Sequence, residues 1–224
     1  ISYEYKEKAI EMPEELRIKW QTALISHSTK GYQVTDDLTH ILKENPEVMK
    51  LWFKEKINAE VSEENVWNLH VDSIATNLID MLNTADKVEL LQSMNSSDGN
   101  YSLVKTIVGQ EPELYQVLIG NQNAKDLHLR PLTIFSASWV EMAQMALDAG
   151  YLAEQVRKAS YHFDFGWSGS EVDMWKGRYA EVEAHKKTTE NVELLSIIDD
   201  SLKNITASME AAEAKERSYE VNGY

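Results

Sequence analysis

Residues 192–214 read VELLSIIDDSLKNITASMEAAEA, and the spacing of their apolar side chains decides the fold. Leu195, Ile198, Leu202, Ile205, Met209 and Ala212 recur at steps alternating between three and four. That is the seam of a helix packed along its length against a partner helix. The surrounding stretch, from Ser170 to about Ser218, holds no proline and a single glycine, Gly177. A helix so polar on its other faces is not stable alone, so its stripe needs cover from the rest of the chain or from another chain.

Upstream within the same stretch, Ser170 and Glu171 open a helix with Val172, Trp175, Tyr179 and Val182 on one face. This stripe is out of phase with the one that begins at Leu195. The polar run AHKKTTEN at 184–191 lies between them, and the reading favours a break there, with Thr188 or Thr189 capping the next helix, over a continuous helix with a stutter. Further back, 133–160 reads as one long helix with Phe135, Trp139, Ala143, Ala146, Gly150 and Ala153 in a row. Gly150 is the one position there that also reads as a flexible point.

The first half is punctuated more often. Pro13 starts a helix ending near Gly31, and Thr35 starts a short one ending at Asn45-Pro46. Pro46 then opens a helix whose face is Val48, Leu51, Trp52 and Glu55. Ser62 starts a stronger one, with Val66, His70, Ile74, Leu78 and Leu82 at steps of four. Thr84 with Asp86 caps another, and SMNSSDGN at 93–100 is the clearest linker. Leu103 to Val108 reads equally as helix or strand. Pro112 opens a short helix to Gly120, and 121–130 is a polar connection.

The expectation is an all-α fold: a multi-helix bundle of about eight to ten helices, with short N-terminal helices and a long C-terminal helical hairpin. One domain spanning 1–224 is expected, with a subdivision into 1–93 and 101–224 as the alternative.

Composition narrows the function classes. The chain has 224 residues, 43% hydrophobic and 26% charged, which suits a globular protein able to bury a core. A formal net charge of −15 repels phosphate backbones and argues against a nucleic-acid partner. With no cysteine, disulfides, thiol catalysis and cysteine-type zinc sites are excluded. The same absence tilts the expectation toward an extracytoplasmic or secreted setting over a cytoplasmic one. No apolar run reaches the roughly 18 to 20 residues of a membrane span. The chain opens on Ile1 rather than Met, which reads as the edge of a longer or processed protein.

Candidate sites are few. YHFDFGWSG at 161–169 is rich in aromatics and closes on two glycines. Tyr161, Phe163, Phe165 and Trp167 are the residue types that dominate binding hot spots, and they are the expected ligand or partner surface. Aromatics beside glycines also fold back to plug the end of a bundle, and that is the commoner outcome. None of the six histidines forms an HExxH or a pair of Glu-x-x-His sequences, so no metal or cofactor is expected.

Two resemblances rest on short motifs. Trp167-Ser168-Gly169, between predicted helices, resembles the turn tripeptide of the WxG family of small secreted helical hairpins. The resemblance implies a hairpin over about 133–218, with the tripeptide in its turn and a partner subunit packed as a helical dimer. The chain departs from that family's export signal, a tyrosine four residues before an acid, because Tyr219 is followed by Gly223 at that spacing. Arg157 and His162 are spaced as in the helical ribonucleases called HEPN domains. That resemblance implies a histidine assisting proton transfer and an arginine steadying the phosphate or the attacking hydroxyl, although Lys158 stands where the family favours another polar residue.

The reading for function is therefore a non-enzymatic helical binding or interaction module. It would act as an extracytoplasmic sensor or a secreted partner protein, with a protein partner or self-association through the C-terminal helix. The alternative is a ribonuclease-like enzyme using Arg157 and His162.

Overall fold

The computed structural model describes residues 42–58, 78–96, 100–161 and 170–222. Every regular element among them is helical, which makes the fold all-α and settles Leu103 to Val108 as helix. The helix expected at 13–31, the part of that at 35–45 before Leu42, and most of that beginning at Ser62 lie outside the described residues; 42–44 are helical. The chain forms two compact units, Ile1–His128 and Leu129–Tyr224. The 93–100 linker falls inside the first unit.

In the first unit, α1 (Pro46–Asn58) starts with proline at its first position and Glu47 in its first turn. Its buried face is Met49, Trp52 and Phe53, continued by Leu42, while Leu51 is 42% exposed. Of the expected face, Trp52 is buried and Leu51 is not; Phe53 is buried in its place and packs edge to face on Trp52, with ring centroids 5.1 Å apart. Helix α2 (Thr84–Ser93) is capped by Asn83, whose Oδ1 accepts from the Asp86 amide at 2.9 Å, one residue earlier than expected. Lys50–Asp86 and Lys54–Glu89 ion pairs, at 3.0 and 2.6 Å, join α1 to α2.

Helix α3 (Tyr101–Gln110) buries Leu103, Val104, Ile107 and Val108. Positions i, i+1, i+4 and i+5 share one helical face, whereas a strand would split them between two. After a 3-10 turn at Pro112–Leu114 comes α4 (Tyr115–Gly120), then a 3-10 segment, Gln122–Leu127. The connection expected to be polar is in fact core: Asn121, Ala124, Leu127 and His128 are buried. Asn121 Nδ2 donates to the Leu91 and Met94 carbonyls at 2.7 and 2.8 Å, which closes the exposed end of α2. His128 Nε2 donates to the Asn121 carbonyl at 2.9 Å, and Tyr115 donates its hydroxyl to the His128 carbonyl at 2.7 Å.

In the second unit the expected long helix over 133–160 is two helices, α5 (Trp139–Asp148) and α6 (Ala153–Ser160). Gly150 ends α5 at φ 93°. Tyr151 N–H reaches the Ala146 carbonyl at 3.0 Å and Gly150 N–H the Leu147 carbonyl at 2.9 Å, the paired bonds of a Schellman termination. The small-residue row therefore turns a corner instead of running on.

Helix α7 (Glu171–Ala184) is capped by Ser170 through the Asp173 amide at 3.3 Å. The break at 184–191 is real: a 3-10 turn at His185–Lys187 precedes α8 (Val192–Asn222), a helix of 31 residues. Its cap is neither threonine but Asn191, whose Oδ1 accepts from the Glu193 and Leu194 amides at 2.9 and 3.3 Å. Glu171–Lys215 at one end and Lys186–Asp199 at the other make α7 and α8 an antiparallel hairpin. Ile198, Leu202, Ile205 and Ala212 are buried as expected, joined by Leu194, Ile197 and Ser201 on a wider face. Leu195 and Met209, also expected on the seam, are half-buried, so the seam is covered within this chain at four of its six positions. Burying each such aliphatic side chain contributes about 1.5–3 kcal/mol.

Candidate functional site

The expected aromatic turn falls between Tyr161, which follows α6, and Ser170, which caps α7. Tyr161 is half-buried, whereas Phe163, Phe165 and Trp167 lie outside the described residues, as does His162. What the structure does place is the pair of anchors on either side.

The upstream anchor is Ser160, fully buried at the last position of α6. Its Oγ donates to the Val156 carbonyl at 2.7 Å and accepts from Trp139 Nε1 at 2.8 Å. Its own carbonyl accepts from the Ile134 amide at 3.3 Å. The Ile134 carbonyl in turn accepts from His185 Nε2 at 2.8 Å, and the His185 ring lies against the Trp139 indole, centroids 5.4 Å apart. Four pieces of chain are tied by this buried network: α5, α6, the 129–138 segment and the turn of the hairpin. Burial holds the His185 imidazole below its ordinary pKa, outweighing the Ile134 carbonyl and Glu181, which favour the cation.

The downstream anchor is Ser170. Besides capping α7, its hydroxyl donates to Glu216 Oε1 at 3.0 Å, fastening the turn's exit to α8.

Arg157, one half of the ribonuclease-like pair, has its guanidinium engaged. It contacts Asp200 of α8, Ser196 Oγ at 3.3 Å and Glu154 at 3.4 Å. The sequence marks Arg157 as a phosphate ligand; the structure uses it to bolt α6 to α8. The hairpin implied by the WxG resemblance is also differently built. Among the described residues four α-helices occupy its span, and the α7–α8 hairpin turns at 185–191, after the tripeptide.

A second polar cluster lies in the first unit. Lys87 is 5% exposed on α2, its ammonium 2.5 Å from Glu111 Oε1 and 3.4 Å from Gln110 Oε1. Thr84 donates to Glu111 Oε2 at 2.8 Å, and Gln110 Nε2 to Asp80 at 2.5 Å. Hydrogen bonds from Lys87, and then from Thr84, hold the Glu111 carboxyl below its ordinary pKa. Sequence reading missed this cluster and Ser160 alike; a lysine in phase with Leu90 and Leu91 was the only visible signal for the first. Among the described residues no three His, Asp or Glu side chains gather as metal ligands, and no helix is long and apolar enough to cross a membrane. No protein-family model matches the chain, and no curated protein or solved structure matches it either.

Proposed function

We propose that this chain is a non-enzymatic helical interaction module that engages a protein partner through the aromatic turn of residues 161–169. The observation that carries the reading is the fastening of both ends of that turn, at Ser160 through Trp139 and Ile134, and at Ser170 through α7 and Glu216. Binding residues concentrate on loops positioned by a rigid scaffold, and Tyr and Trp dominate the energetics of such contacts. The reading is also supported by Arg157, whose guanidinium is held by Asp200, Ser196 and Glu154 within the second unit. Most of the apolar seam of α8 is buried within the chain, which favours the turn over the seam as the surface for a partner.

Acrylamide quenching of wild type against Trp167→Phe, together with the stability of Trp167→Ala, tests the reading. A partner surface gives a quencher-accessible Trp167 and a stability change within about 0.5 kcal/mol. A shielded Trp167 with a loss of about 3–5 kcal/mol on truncation identifies a core plug and overturns it.

A further inference from the structure

We propose that His185 is an acid-operated latch: protonation of its imidazole frees the turn of the α7–α8 hairpin from the 129–138 segment and α5. The latch stands on the geometry of the second unit alone and does not depend on the proposed partner role. His185 closes the apolar row of α7, three residues after fully buried Val182, and is itself 5% exposed. Its Nε2 carries the proton that goes to the Ile134 carbonyl, which leaves the Nδ1 side as a bare lone pair in the neutral ring. A second proton must be placed on Nδ1, where no acceptor stands among the described residues.

The charge so created has little to balance it. Of the charged side chains on the elements packed here, among them Arg130, Glu141, Asp148, Glu154, Arg157, Lys158, Arg178, Glu181, Glu183, Lys186, Lys187, Glu190 and Asp199, only Glu181 acts on the ring electrostatically. Lys186 is paired with Asp199 at 2.7 Å, Arg157 is held by Asp200, and Arg178 lies over the Phe135 ring at 4.5 Å. Glu181, the Trp139 face and the Ile134 carbonyl all favour the cation, yet burial dominates. The inexpensive response to protonation is to open the contact and let water reach the ring. Opening breaks the bond to Ile134, and through the Ile134 amide and Trp139 it loosens the hold on Ser160.

The direction follows from linkage. The latched ring resists protonation; the opened ring titrates near the ordinary value of about 6.5, so the opened state binds more protons below that pH. Opening therefore grows up to about tenfold per pH unit below pH 6.5, and levels off once the pH passes below the latched ring's own pKa. Above that range this group contributes no pH dependence.

Hydrogen exchange on the full chain, from about pH 7.5 to about pH 5 and expressed as protection factors, tests the latch. In wild type, peptides covering 131–139 and 185–192 should lose protection up to about tenfold per unit below pH 6.5. His185→Gln keeps an amide donor for Ile134 and cannot be charged, so its profile should be flat. Protection that is constant in wild type, or that falls in parallel in both proteins, overturns the proposal. Should the variant not fold, the wild-type imidazole is followed by carbon-13 NMR. A ring titrating near pH 6.5 with unchanged protection overturns the latch, and titration accompanied by loss of protection supports it.

Discussion

A buried lysine and a buried serine show what single residues do here. The Lys87 ammonium is taken out of water and held by Glu111, Gln110 and, through Gln110, Asp80. Such a pair stabilises little net, but breaking it strands a charge. Glu111→Gln should therefore destabilise by about 1–2 kcal/mol, less than a fully buried pair because Glu111 still touches solvent. The Lys87→Met/Glu111→Leu double variant should recover most of that loss in urea denaturation. If the double variant is no more stable than Glu111→Gln, the stranded-charge account fails. The pH dependence has a definite sign. Glu111 binds its proton less readily when folded, so its contribution is full above the unfolded value near 4.5 and is lost as pH falls through the lower folded value. Glu111→Gln should flatten that acid limb. Ser160→Ala removes the acceptor of Trp139 Nε1 in a site with no water access, and should cost about 1–3 kcal/mol by the same measurement. Neither role is readable from sequence, because each depends on a partner more than twenty positions away.

Elements were read more successfully than single contacts, and the failures have a common cause. Apolar spacing located α7, α8 and the break between them, since a long amphipathic stripe constrains itself. It places Leu51 on the buried face of α1, where Phe53 stands instead, and it runs α5 and α6 together. Gly150 was seen, but periodicity cannot distinguish a tolerated helical glycine from a terminating one. Its φ of 93° makes the distinction, and a Cβ there would meet nothing within 4 Å. Gly150→Ala should therefore destabilise by about 1–2 kcal/mol through backbone strain alone. A neutral or stabilising result in thermal melts would show that the corner does not need a left-handed residue. Asn191 caps α8 where the sequence offers two threonines. It does more than cap, since its Nδ2 donates to Gln144 Oε1 at 2.8 Å. Asn191→Ala should lose about 1–2 kcal/mol, and Asn191→Asp less, because aspartate keeps the cap and suits the positive helix end. Equal losses in the two variants would place the importance of Asn191 in the Gln144 contact instead.

At the scale of the molecule, the charge of −15 is a property no single contact explains. Like charges crowd together on folding, so the compact state carries a self-repulsion that the expanded chain partly escapes. Salt shortens the range of that repulsion, from a Debye length of about 30 Å at 0.01 M to about 8 Å at 0.15 M. Surface ion pairs such as Lys54–Glu89 and Lys186–Asp199 are weakened by the same screening, which pulls the other way. The acids outnumber the bases by 37 to 22, so unpaired repulsion is the larger sum and the melting temperature should rise over that salt range. A second copy brings the same excess to any interface, doubling the charge to be gathered in one particle. Self-association through the outer face of α8, where Glu193, Asp199, Lys203, Glu210 and Lys215 are exposed, must work against that field. Sedimentation at several salt concentrations separates the two effects. A dimer that tightens as salt rises, alongside a rising melting temperature, is what an acidic chain with a mostly buried seam should show. A dimer strongest at low salt would mean that opposite charges meet across the interface, and would put the proposed partner surface on α8 rather than on the aromatic turn.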